Sequence, residues 1–192
     1  MALIGSSVTR RRVIACGLIA ALWGLRPKVG FASSPEAPRA LRGLKMFSPP
    51  LPLPDMYLQS AEGEEQTIRA FGPGSCILNL WATWCAPCVE ELPSLQRLSL
   101  LAKGRFRVIL LSQDRGGSAV TDPFLRRLGV TDLPVFADPS GRFGRALSVR
   151  GLPTTFIINQ HGSIVGRYEG GARWDDGAVV EFISTLSAFS PS

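Results

Sequence analysis

Asn79-Leu80-Trp81-Ala82-Thr83-Trp84-Cys85-Ala86-Pro87-Cys88-Val89-Glu90-Glu91-Leu92-Pro93 is the stretch whose reading decides the fold. Upstream, Cys76–Trp81 is a compact apolar run bounded by Gly72-Pro73-Gly74, which predicts a buried strand. Downstream, Val89, Leu92, Leu95 and Leu98 recur at helical spacing and predict a helix over 87–102, kinked at Pro93. The two cysteines therefore sit where a strand passes into a helix. The first turn of a helix has amide N–H groups without helical partners and the positive end of the dipole. A thiolate at Cys85 is stabilised there and its pKa lowered. It can attack a disulfide to give a mixed disulfide. Cys88, one turn on, can reach back and release the product. Pro87 suits the first turn, because its missing N–H costs no helical bond there.

Outward from this stretch the elements alternate. Arg107–Ser112 reads as a strand, 123–128 as a short helix, 135–137 as a short strand and 141–147 as another short helix. Strands at 154–159 and 163–169 are joined by Gln160-His161-Gly162, and Asp175 is expected to cap a last helix over 177–187. Strand, helix, strand, then hairpin and helix predict an α/β domain with a mixed sheet and helices on its faces. Residues 33–50, rich in Pro, Ser and Ala, read as a linker, and 51–188 as the domain.

The charge of +6 does not belong to that domain. Residues 1–32 carry five of the 21 basic residues and none of the 15 acidic ones, leaving 16 against 15 elsewhere. No nucleic-acid footprint is expected on the folded part. Arg10-Arg11-Arg12, the apolar run 13–25 and the small residues 30–33 have the layout of an export signal, either cleaved or retained as a membrane anchor. Export points to a periplasmic, oxidising compartment.

The Cys85–Cys88 pair has other readings. A structural zinc site needs about four ligands, and no second pair accompanies this one; no metal site is expected. A purely structural disulfide closes too small a loop to stabilise much. A copper carrier would want a histidine nearby, and the only one is His161. Cys76, opening a buried strand, reads as an inert apolar filler.

The quoted stretch, with Leu53-Pro54-Asp55, Asp138-Pro139 and Gly151-Leu152-Pro153-Thr154-Thr155-Phe156-Ile157-Ile158, resembles the thioredoxin superfamily over about residues 51–187, in particular its TlpA/ResA-type exported branch. The resemblance implies a thioredoxin-like fold and a thiol-disulfide oxidoreductase whose only redox group is the Cys85–Cys88 pair, with no cofactor. It implies that Pro153 is a cis-proline facing the dithiol, so that the Leu152 backbone is open to a client strand. Leu152 and Thr154 are then client-binding residues, and Trp84 either joins them by shielding the sulfurs and contacting clients or simply packs. It implies that Glu91 is the acid accompanying the dithiol, and helical spacing independently places it on the side of Cys88. Asn79 falls where cytoplasmic thioredoxins carry a buried acid. Ala86-Pro87 is close to the dipeptide of reducing members. The expected partners are disulfides of client proteins, in cytochrome c maturation or copper-site assembly, and a membrane electron donor of the DsbD/CcdA type. Thr154 stands where a dedicated cytochrome c maturation branch shows Glu, which favours a broader reductase. A copper metallochaperone and a non-catalytic docking module are the rival functions.

Overall fold

The computed structural model describes residues 36–68 and 74–188; the expected export signal at 1–32 lies outside them. The described residues belong to one compact unit. A 3-10 turn (Arg39–Leu41) leads into β1 (Lys45–Pro52), β2 (Tyr57–Ser60), β3 (Glu65–Thr67) and β4 (Cys76–Trp81). Then follow α1 (Ala86–Ala102), β5 (Arg107–Ser112), α2 (Ser118–Arg127), β6 (Val135–Ala137), α3 (Arg142–Ala146), β7 (Thr154–Ile158), β8 (Ser163–Glu169) and α4 (Gly177–Ala188).

Among the described residues the eight strands form one mixed sheet in the order β1-β8-β7-β4-β5-β6-β2-β3. Strand β4 is central because all six of its residues are buried, so both of its faces must be covered. It pairs parallel with β5, from Cys76↔Arg107 to Trp81↔Ser112, and antiparallel with β7, from Cys76↔Ile158 to Leu80↔Thr154. Side chains alternate across it. Ile77 and Trp81 join the core that holds the buried side of α1, Leu92, Leu95 and Leu98, together with Val179 and Ile183 of α4. Leu78 and Leu80 face the second core, with Ile109, Phe143 and Phe156. Burying each of these leucines is worth about 1.5–3 kcal/mol. Helix α1 runs on past Pro93 as a single helix.

Two expectations are corrected. Residues 39–52, taken in part as linker, are built into the domain: Leu41 is fully buried, and β1 pairs antiparallel with β8 from Lys45↔Arg167 to Pro52↔Ser163. The domain thus begins well before residue 51. Pro49, Pro50 and Pro52 are tolerated because β1 is an edge strand, where a missing N–H can face solvent. The cap of α4 is Asp176, whose Oδ1 accepts from Ala178 N at 2.8 Å. Asp175 instead takes the Arg97 guanidinium at 2.7 Å, tying the loop before α4 to α1 and holding its carboxyl below the usual range.

Candidate active site

Cys85 is the N-cap of α1 and is joined to Cys88 by a disulfide, with Cα atoms 5.3 Å apart. The turn forms because Cys85 N donates to Ala82 O at 3.2 Å as the chain leaves β4, and Val89 N then donates to Cys85 O at 3.1 Å as the helix begins. Pro87 lies in the first turn, as its chemistry requires. Cys88 is fully buried, while Cys85 keeps 7% of its surface. Trp84 stands beside it, 71% exposed.

Glu91 is 3% exposed, on the same buried stripe of α1 as Cys88. Its Oε1 accepts from Asn79 Nδ2 at 2.8 Å. Its Oε2 accepts from Trp174 Nε1 at 2.8 Å and from Ala172 N at 3.0 Å. Burial pushes the carboxyl above the usual carboxylate range, and the three donors pull the other way. An ionised carboxylate offers about four lone-pair sites. Three are taken, so the position left for a proton is on Oε1. Asn79 is held in turn by Thr155, directly opposite on β7, whose Oγ1 lies 2.9 Å from Asn79 Nδ2. Among the described residues Asn79 Oδ1 has no partner.

The Leu152–Pro153 peptide is cis, at the start of β7. Pro153 is buried and Leu152 half-buried. Thr154 is buried, and its hydroxyl donates to Gly151 O at 2.8 Å, closing the turn that carries the proline. Pro153 O accepts from Gly170 N at 2.9 Å, which joins this turn to the loop after β8. That loop reaches the dithiol helix, since a Cβ added at Gly171 would lie 3.4 Å from Pro87 O.

A second polar cluster was not foreseen. Asp114, 4% exposed and just past β5, accepts at Oδ2 from Thr83 N at 2.9 Å and from Ser112 Oγ at 2.8 Å. Its Oδ1 accepts from Thr83 Oγ1 at 2.6 Å. It pins the residue two before Cys85 to the neighbouring strand. Trp174, the Ala172 amide and Thr155 were missed as well. The only available signal was topological: loops at the carboxyl ends of adjacent parallel strands converge on one site.

Two other sequence candidates are kept away from this site. Cys76 is buried at the far end of β4, and burial pushes its thiol up to about 12, with Arg107 nearby acting weakly against it. His161 lies in the turn after β7, whose other end holds Thr154 and pairs with Leu80. The histidine therefore sits at the opposite end of the sheet from Cys85.

The fold and the Cys-x-x-Cys at a strand-to-helix junction define a thioredoxin-like redox domain. The chain belongs to the Redoxin family, whose model matches residues 50–181. It is 31% identical over 111 residues to the thiol-disulfide oxidoreductase ResA of Geobacillus kaustophilus, covering 58% of this chain and 63% of that protein. It is 39% identical over 111 residues to the thiol:disulfide interchange protein DsbE of Haemophilus influenzae, covering 57% and 59%. The matched region thus spans somewhat under two thirds of these relatives. The crystal structure of a putative thiol:disulfide interchange protein DsbE from Chlorobium tepidum superposes with a TM-score of 0.64 at 24% identity, over 72% of this chain and 97% of that one. Among the described residues no helix is long and apolar enough to cross a membrane.

Proposed function

We propose that this protein is an exported, periplasmic thiol-disulfide oxidoreductase that reduces disulfides in client proteins. The observation that carries the reading is the Cys85–Cys88 disulfide at the N-terminus of α1, with Cys85 the less buried of the two residues. In the reduced protein the Cys85 thiolate attacks one sulfur of a client disulfide. A mixed disulfide forms and the second client sulfur leaves as a thiolate. Cys88 then gives up its proton and attacks Cys85. The client's remaining sulfur is released, the Cys85–Cys88 disulfide forms, and two electrons have passed to the client. Glu91 is the group suited to hold that proton: it lies one turn from Cys88, and its Oε1 has a lone pair open.

Ala86-Pro87 supports the reducing direction. Relatives named thiol-disulfide oxidoreductase ResA and thiol:disulfide interchange protein DsbE support protein disulfides as the substrate, and the family resemblance points to clients in cytochrome c maturation or copper-site assembly. A membrane carrier of the DsbD/CcdA type is the donor that would return the dithiol to its reduced form. Such a donor, and export itself, agree with the charge and apolar pattern of residues 1–32. The test is the reduction potential of the Cys85–Cys88 pair, measured by equilibration with glutathione or dithiothreitol buffers. A value near about −270 mV, as in thioredoxin, is expected; one near about −120 mV, as in the strong oxidant of this fold, overturns the reductase assignment.

A further inference from the structure

Three loops converge on the dithiol, and each carries one exposed arginine. Arg115 follows Asp114, the residue that binds Thr83 two positions before Cys85. Arg150 lies three residues before Pro153, on the outside of the turn closed by Thr154 and Gly151. Arg173 sits between Ala172 and Trp174, both bonded to Glu91, and two residues from Gly171, which abuts Pro87. The loops around the dithiol thus each carry an exposed arginine, and Trp84, next to Cys85 in the chain, is exposed as well.

These arginines are available to a partner. Among the described residues Arg115 and Arg150 make no ion pair. Arg173, whose side chain is 87% exposed, has only a 3.9 Å approach to Asp175, a carboxylate already engaged by Arg97 at 2.7 Å. The acids on and near these loops have partners within the protein. Asp114 is buried on Thr83 and Ser112. Asp138 is buried and accepts from Arg142 N and Phe143 N at the start of α3. Glu169 pairs with Arg167 at 2.7 Å, and Asp176 caps α4. Glu90, in the first turns of α1, is exposed, as are Glu169 and Asp176. Around the dithiol the arginines of these three loops are thus exposed and hold at most a long ion pair, whereas the acids nearby, buried or exposed, already have partners within the protein, Glu90 excepted.

We propose that this rim selects its clients by charge, recognising polypeptide segments in which acidic residues flank the disulfide. The inference rests on the disulfide-reductase reading above and adds the substrate class. Guanidinium forks pair bidentately with carboxylates, and charge complementarity around an interface acts on the encounter rate and on the choice of partner. The chemistry at sulfur is unchanged; the rim raises the rate at which an acidic client reaches Cys85.

The test uses the full chain, reduced beforehand and freed of reductant, in single turnover. Its substrates are two synthetic peptides, each with one internal disulfide and identical except for Asp or Lys beside the cysteines. Hydroxyethyl disulfide, which is uncharged, is the reference. At low ionic strength the Asp peptide should be reduced about tenfold faster than the Lys peptide, and the ratio should collapse towards one at about 0.5 M salt. Combining Arg115→Glu and Arg150→Glu should abolish or reverse the preference while changing the hydroxyethyl disulfide rate by less than about twofold. Equal rates for the two peptides, or a preference untouched by the substitutions, would overturn charge selection with the reductase reading intact. Failure of the wild type to reduce hydroxyethyl disulfide would overturn the reductase reading, and this inference with it.

Discussion

Replacing Asp114 by Ala removes a carboxylate that accepts three hydrogen bonds, from Thr83 N at 2.9 Å, Thr83 Oγ1 at 2.6 Å and Ser112 Oγ at 2.8 Å. Hydrogen bonds to an ionic acceptor contribute about 1.5–3 kcal/mol each. Part of that is recovered because Thr83 is half-buried and can turn to water, and because a desolvated carboxylate is no longer held in the fold. The net expectation is a loss of about 3 kcal/mol. Asp114→Asn keeps one oxygen for Thr83 N and Ser112, and its amide can donate to Thr83 Oγ1. It should cost only about 1 kcal/mol. At roughly 2 kcal/mol per molar urea, the Ala variant of the oxidised protein should unfold about 1.5 M earlier. Thr83→Val tests the same contact from its other side, and the double variant should be less damaged than the two single losses summed. Disulfide reduction, assayed well below these midpoints, should fall in the same order, Asn before Ala, because Thr83 leads directly into the Cys85 turn. An Ala variant within about 0.5 kcal/mol of wild type, or an Asn variant as damaged as Ala, would refute the view that this carboxylate anchors the active-site loop.

Two further outcomes follow from the same geometry. Cys88→Ser should accumulate mixed disulfides with client proteins on non-reducing gels, whereas Cys85→Ser should not; equal trapping by both would refute the assigned order of attack. Glu91 concerns pH. Its folded carboxyl holds a proton more tightly than the unfolded chain does. The oxidised wild type should therefore gain stability as pH falls from above the folded value to below the unfolded one, and lose it as pH rises back through that window. Glu91→Gln cannot titrate, so the difference between the two proteins in urea melts should change across that window and be flat above it; a difference independent of pH rules out the buried carboxyl as its source.

The strand-to-helix cysteine pair was legible from local chemistry alone. An apolar run at 76–81, two cysteines three positions apart and leucines at helical spacing are short-range facts, and β4, α1 and the disulfide stand where they place them. The hairpin of β7 and β8 was legible for the same reason, since alternation and a Gly-containing turn are contained within it. Strand β1 was not. Its prolines argue against a central strand, and only its pairing with β8 at the sheet edge makes the conformation worthwhile. The cap of the last helix slipped from Asp175 to Asp176 because Arg97, distant in sequence, claims the first carboxylate.

The same division runs through the site. Sequence by itself placed the two cysteines at the start of α1, because helix position and residue spacing are local properties, and on that placement rests the proposed reactivity of Cys85. It also placed Glu91 on the correct face of α1 by helical period. Tertiary structure decided what surrounds them. The donors on Glu91 come from β4 and from the loop after β8, the anchor of Thr83 from the end of β5, and the outward arginines from three separate loops. Such contacts join residues 12 to 83 positions apart, and their partners are fixed by the order of strands in the sheet, a property that no local window of residues contains.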